Sequence, residues 1–129
     1  MANRIAPRLP AIDPTETQVV SRRKVEIPAA AFAANGSTDS LYVGECGVLR
    51  VTQTCASRTG TNPTCDVTVM TCDTPGGTFY AAGTFTQLTA AGAQRKAFAV
   101  DRWVRFDVAL GGTNTPTFTL SFDGEAVGG

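Results

Sequence analysis

Hydrophobic residues recur at every second position through the last third of the chain: Val104, Phe106, Val108 and Leu110, and then Phe118, Leu120 and Phe122. A period of two places one apolar row on one face of a strand, so residues 104–110 and 118–122 are predicted as strands and not as helix. Between them, Gly111, Gly112 and Pro116 carry turn chemistry, since glycine accepts positive φ and proline lacks a ladder donor. This predicts a hairpin-like return.

The same pattern predicts earlier strands at 17–28, ended by Pro28, at 39–43, at 48–57 with Leu49, Val51 and Cys55 on one face, and at 65–72 with Cys65, Val67 and Val69 inward. Residues 29–36 are alanine-rich and read as a short helix or a loop. The linker 57–64 and the stretch 73–77 are turns by composition, and Gly83, inside an apolar run, predicts a bulge or bend. One more strand is predicted through Phe98 and Val100. Seven or eight strands with frequent turns predict an all-β, antiparallel β-sandwich of jelly-roll type over 17–129, with a barrel as the other architecture.

Residues 1–16 differ. Pro7, Pro10 and Pro14 interrupt any periodicity, so this segment reads as an extended N-terminal arm, either a disordered terminus or one laid along a neighbouring subunit. Ile5, Leu9 and Ile12 would be its apolar contacts.

Composition narrows the class. Charged residues make up 17% of the chain, below the roughly 25% of average soluble domains, and threonine is abundant, which suits the solvent face of strands. Eleven basic and eleven acidic residues cancel, so no net field attracts nucleic acid or a membrane, although Arg4, Arg8, Arg22, Arg23 and Lys24 tilt the beginning of the chain towards positive charge. No apolar run reaches the length of a membrane span and no signal-peptide core follows Met1, which predicts synthesis in the cytoplasm without export.

Cys46, Cys55, Cys65 and Cys72 are the most distinctive local feature. If 48–57 and 65–72 pair about residue 60, Cys55 faces Cys65 and Cys46 lies near Cys72, which predicts nested disulfides. Zinc is a competitor, but the chain lacks a short C-x₂₋₄-C knuckle; reduced structural cysteines are the third reading.

The chain has no histidine, which excludes Ser-His-Asp and Cys-His catalysis, and it has no phosphate-binding glycine loop. Asp66, Asp101, Asp107 and Asp123 sit where solvated strand carboxylates sit. A scaffold without cofactor or metal is expected, not an enzyme. Trp103, flanked by Arg102 and Arg105, points away from the Val104/Phe106 face and reads as loop packing, an interface anchor or a sugar platform.

Several stretches together resemble a family of small β-rich virion proteins of tailed bacteriophages. They are the LRVTQTC strand, Asp66-Val67-Thr68-Val69, the turn at 73–77, Gly83-Thr84-Phe85, the R-W-V-R strand at 102–105 and the G-G-T-x-x-P-x-F-T-x-S-F return at 111–122. The resemblance spans residues 48–127; the cysteine content and the proline-rich arm depart from it. It implies a capsid decoration or cement protein, or a head or tail accessory protein. Its partners would be the phage major capsid protein and copies of itself, as a homo-oligomer such as a trimer, on the outer surface of the virion after synthesis in the host cytoplasm. The alternative is a tail or fibre module that recognises a host glycan or receptor.

Overall fold

The computed structural model describes residues 21–128, and the arm at 1–16 with Ile5, Leu9 and Ile12 lies outside them. The described chain is all-β. Its strands are β1 (Ser21–Phe32), β2 (Gly36–Ser37), β3 (Leu41–Tyr42), β4 (Val48–Cys72), β5 (Tyr80–Thr84), β6 (Gly92–Ala99) and β7 (Trp103–Gly128), joined into one seven-stranded antiparallel sheet. No helix occurs among the described residues.

Two strands of 25 and 26 residues organise the rest. β4 and β7 run antiparallel along their full lengths, from Val48 opposite Val127 to Cys72 opposite Trp103. Two sequence expectations fail here. Residues 104–110 and 118–122 do not form a hairpin with each other, because both belong to β7 and each pairs with β4. Residues 48–57 and 65–72 likewise belong to one strand and are not partners. The turn chemistry that suggested two hairpins makes one bend in a two-stranded ribbon. Both strands carry nearly the same residues at the bend, with one extra threonine on β7: Gly60-Thr61-Asn62-Pro63-Thr64 on β4 and Gly112-Thr113-Asn114-Thr115-Pro116-Thr117 on β7. Gly60 (φ 108°) lies against Pro116 and Gly112 (φ 110°) against Pro63, each glycine giving a proline of the other strand room for close approach. Asn114 Nδ2 donates to Thr61 Oγ1 across the bend. Register shifts follow Cys55, Thr59 and Thr61, yet the two arms of the ribbon keep a common register on either side.

The bend lets distant parts of one strand meet. Phe106 and Phe122 lie 16 residues apart on β7, which would separate them by about 50 Å in a straight strand. Their rings stack with centroids 4.1 Å apart and planes at 8°. Phe85 packs near Phe122 and edge-on to Phe98. Every second residue of each ribbon arm enters this core: Leu49 and Val51, Val67 and Val69, Val104 and Phe106, Leu120 and Phe122 are all buried. Gln53 occupies one inward position, fully buried, and its amide finds no partner among the described residues. That burial costs free energy which the surrounding apolar contacts offset.

Shorter strands attach to the ribbon on both sides. β1 pairs with the second arm of β7 and β6 with the first arm of β4; β5 pairs with the second arm of β4, and β2 and β3 with the first arm of β7. Pro28 does not end β1. It sits in an irregularity between Ile27 and Ala30, where the strand tolerates a residue without an N–H, and the alanine run continues as strand with Ala31 opposite Thr119. Edge pairing thus overrides the helical preference of alanine at 29–32. The irregularity expected at Gly83 is present: Gly83 faces Val69 and Ala81 faces Met70, leaving Ala82 as the extra residue.

The predicted disulfides are absent: Cys46, Cys55, Cys65 and Cys72 are free and buried. Their pairing was inferred from a hairpin about residue 60, and that hairpin does not exist. Cys55 is opposite Leu120, Cys65 opposite Leu110 and Cys72 opposite Trp103, while Cys46 lies in the turn before β4. Cys55 and Cys72 donate to the carbonyls of Ser57 and Thr74. Burial pushes the Cys65 thiol up to about 12, with smaller contributions from Cys55 and Asp66, and it raises Cys55 against the lowering effect of the Ser57 hydrogen bond. All four pack as small hydrophobic residues of the core.

Three outcomes are expected. Gly60→Ala and Gly112→Ala each place a Cβ 2.9 Å from the opposing strand's backbone at a φ that L-residues rarely adopt. Each should lower unfolding free energy by about 1–3 kcal/mol, read as a shifted urea midpoint at unchanged slope. Second, a thiol reagent should label all four cysteines promptly in denaturant and none promptly in the native protein. Because the folded chain holds the Cys65 proton more tightly than the unfolded chain does, stability should be retained up to about pH 9 and decline as pH rises towards 12.

Candidate interaction surface

Alternation along β7 that sends Val104 and Phe106 inward sends Trp103, Arg105 and Asp107 to the opposite face. The neighbouring strands supply that face with partners. β3 places Tyr42 opposite Trp103, with ring centroids 5.1 Å apart and planes at 58°. β4 places Met70 opposite Arg105. The Arg105 guanidinium lies 4.4 Å from the centroid of Phe79, just ahead of β5, and its Nε donates to Asp107 at 2.9 Å. Asp107 also accepts from Ser37 at 2.7 Å. At the other end of the row, the Arg23 guanidinium stands 5.1 Å from the Tyr42 ring. The result is a row in which a Tyr42–Trp103 aromatic pair is flanked by guanidinium groups, Arg23 on Tyr42 and Arg105 on Phe79.

The row is held from behind by one buried hydroxyl. Thr71 Oγ1 donates to the carbonyl of Trp103 at 2.8 Å and accepts from the N–H of Asp101 at 2.7 Å. Thr71 is fully buried, so these bonds fix the chain where it enters β7. Val43 N–H donates to the Arg102 carbonyl at 2.7 Å and ties the end of β3 to the same point. Arg102 turns away from the row: it donates to Glu45 at 2.7 Å and lies 3.7 Å from Asp73, and the Glu45 hydrogen bond raises its already high pKa. Tyr80 donates to Asp101, and that hydrogen bond raises the phenol above its ordinary value.

The sequence-predicted residues therefore separate. Trp103 and Arg105 share the outward row, whereas Arg102 braces the turns around it. Tyr42, Phe79 and Arg23 were not foreseen as site residues. Tyr42 follows from the register of β3 on β7, which two residues of strand cannot reveal. The basic triplet splits as an alternating strand requires, with Arg22 paired to Glu125, Lys24 to Asp123, and Arg23 directed to Tyr42.

The four strand aspartates are individually engaged: Asp66 by Gln87, Asp101 by Tyr80, Asp107 by Arg105 and Ser37, and Asp123 by Lys24. Among the described residues, no group of three His, Cys, Asp or Glu side chains is placed to hold a metal ion. The row can offer aromatic area and guanidinium donors to a partner. Comparison of the chain with protein-family models, curated proteins and solved structures finds no match.

Thr71→Val keeps the shape and removes both hydrogen bonds. It should cost about 1–3 kcal/mol, since a buried N–H and C=O lose their partner. Trp103 is the only tryptophan, so a red-shifted native emission spectrum would report loosening at this point of the fold.

Proposed function

We propose that this chain is a structural subunit that binds a large protein surface through the Tyr42–Trp103–Arg105–Phe79 row. The observation that carries the proposal is the row itself: aromatic and arginine side chains, the types that dominate interface energetics, stand together on one outward face. The resemblance to small tailed-phage virion proteins supplies the nature of that surface, a capsid shell that the subunit decorates and stabilises from outside. Glycan recognition fits less well, because rings tilted at 58° offer a sugar no common plane.

For the body we propose a jelly-roll β-sandwich. One layer would be β6, the first arm of β4, the second arm of β7 and β1; the other would be β5, the second arm of β4, the first arm of β7 and β3. The Phe106–Phe122 stack supports that arrangement, because it joins a residue of one layer to a residue of the other. Such a body would carry the row rigidly on one outer sheet face.

The experiment measures occupancy on capsids that lack the subunit. Trp103→Ala and Tyr42→Ala should each weaken attachment by about 30-fold, the effect of removing one interface anchor worth about 2 kcal/mol, at unchanged melting temperature. Equal occupancy of wild type and both variants would remove the row from the interface. Binding to host glycans without capsid attachment would move the protein to the tail or fibre.

A further inference from the structure

A second feature lies at the open edge of the sheet, next to the strand that supplies Tyr42 to the aromatic row. β1 pairs with β7 on one side only, and no described strand takes its other edge. Between the end of β1 and β3 runs a groove of about 260 Å³. Its floor is apolar: Ile27, Phe32 and Leu41 are half-buried and pack against the core, each leaving part of its surface uncovered. Its rim is acidic: Glu26 and Asp39 are exposed, and neither carboxylate forms an ion pair among the described residues.

Twenty residues precede Ser21, enough to span about 65 Å when extended. Within them, Arg4-Ile5 and Arg8-Leu9 repeat a basic–apolar pair at an interval of four, followed by Ile12. Apolar residues match the groove floor and arginines its acidic rim. Pro7, Pro10 and Pro14 remove the N–H groups needed to extend the sheet along β1, so the match is one of side chains into a groove and not of strand addition. The groove lies at the far end of β1 from Ser21. To fill its own groove the chain would have to reverse just before β1 and run back beside a strand it cannot hydrogen-bond; another copy's segment needs no reversal.

We propose that the groove floored by Ile27, Phe32 and Leu41 and rimmed by Glu26 and Asp39 receives residues 4–12 of a second copy of this chain. This deepens the reading of the chain as a structural subunit, since one groove and one segment per copy link subunits head to tail. It does not depend on which shell the subunit coats, and its test uses no capsid, so either idea can fail alone.

The test is a charge exchange in the full-length chain, followed by sedimentation over a range of concentrations. Wild type should self-associate. Glu26→Lys with Asp39→Lys sets a basic segment against a basic groove, and Arg4→Glu with Arg8→Glu sets acid against acid; each double variant alone should associate at least tenfold more weakly. Mixed, they should associate in equal proportions, because the acidic segment of one meets the basic groove of the other and the unchanged basic segment of the second meets the unchanged acidic groove of the first. All four positions are charged, and Glu26 and Asp39 are exposed, so an unchanged melting curve is expected. A third variant, Ile5→Asp with Leu9→Asp, should lose association while leaving the groove intact. The proposal is overturned if wild type stays a single chain at every concentration, if either charge variant alone associates like wild type, or if the mixture stays unassociated.

Discussion

Everything in this fold hangs on the pairing of β4 with β7. These strands supply most of the inward apolar residues, and each shorter strand attaches to one of their arms. Because the two strands bend together, the apolar parity of each arm is kept across the bend: odd positions on β4 and even positions on β7 point inward on both sides. A net slip of one residue at the bend would turn one arm inside out, exposing Val67 and Val69 and burying Asp66 and Thr68. The compensating register shifts and the matched Gly–Pro contacts absorb the irregularity without such a slip.

That constraint also explains which parts of the structure were legible in the sequence. Strand character and facing were readable because they are local: Val104 to Val108, Phe118 to Phe122 and Cys65 to Val69 alternate as the structure has them. Pairing was not. Gly60-Thr-Asn-Pro and Gly112-Thr-Asn-Thr-Pro look like ordinary hairpin turns, and only their near-repetition hints that they lie side by side in one bend. From that misassignment followed the disulfides, which needed Cys55 and Cys65 on facing strands. Pro28 misled in a similar way, because a sheet edge accommodates proline that an inner strand would reject. Trp103 and Arg105 were found through outward parity, while Tyr42 and Phe79 reach them through pairings that span long stretches of chain.

Polar groups divide into those that organise the molecule and those that merely solvate it. Exposed pairs such as Lys24–Asp123 and Arg22–Glu125 lie on the surface of β1 and β7, where each is worth little. Thr71 is of another kind: a single buried hydroxyl holds both sides of the connection into β7 and so sets where the aromatic row begins. Gln53 is the contrasting case, a buried amide that stabilises nothing described. The outward row and the acidic groove meet at β3, where Leu41 lines the groove and Tyr42 joins the row.

The ribbon also dictates how the chain can reach its final state. At the Cys72–Trp103 end, the paired residues are separated by about 30 positions; at the Val48–Val127 end, by about 80. Closing the shorter loop, which contains β5 and β6, loses less chain entropy, so pairing that starts at that end and proceeds outward is the less costly order. β1 pairs with residues 118–128, so that strand has no place to go until the second arm of β7 has been made. Until then β4 can pair only with β5 and β6, so much of its apolar surface stays uncovered, which favours aggregation in the interval before β7 is available.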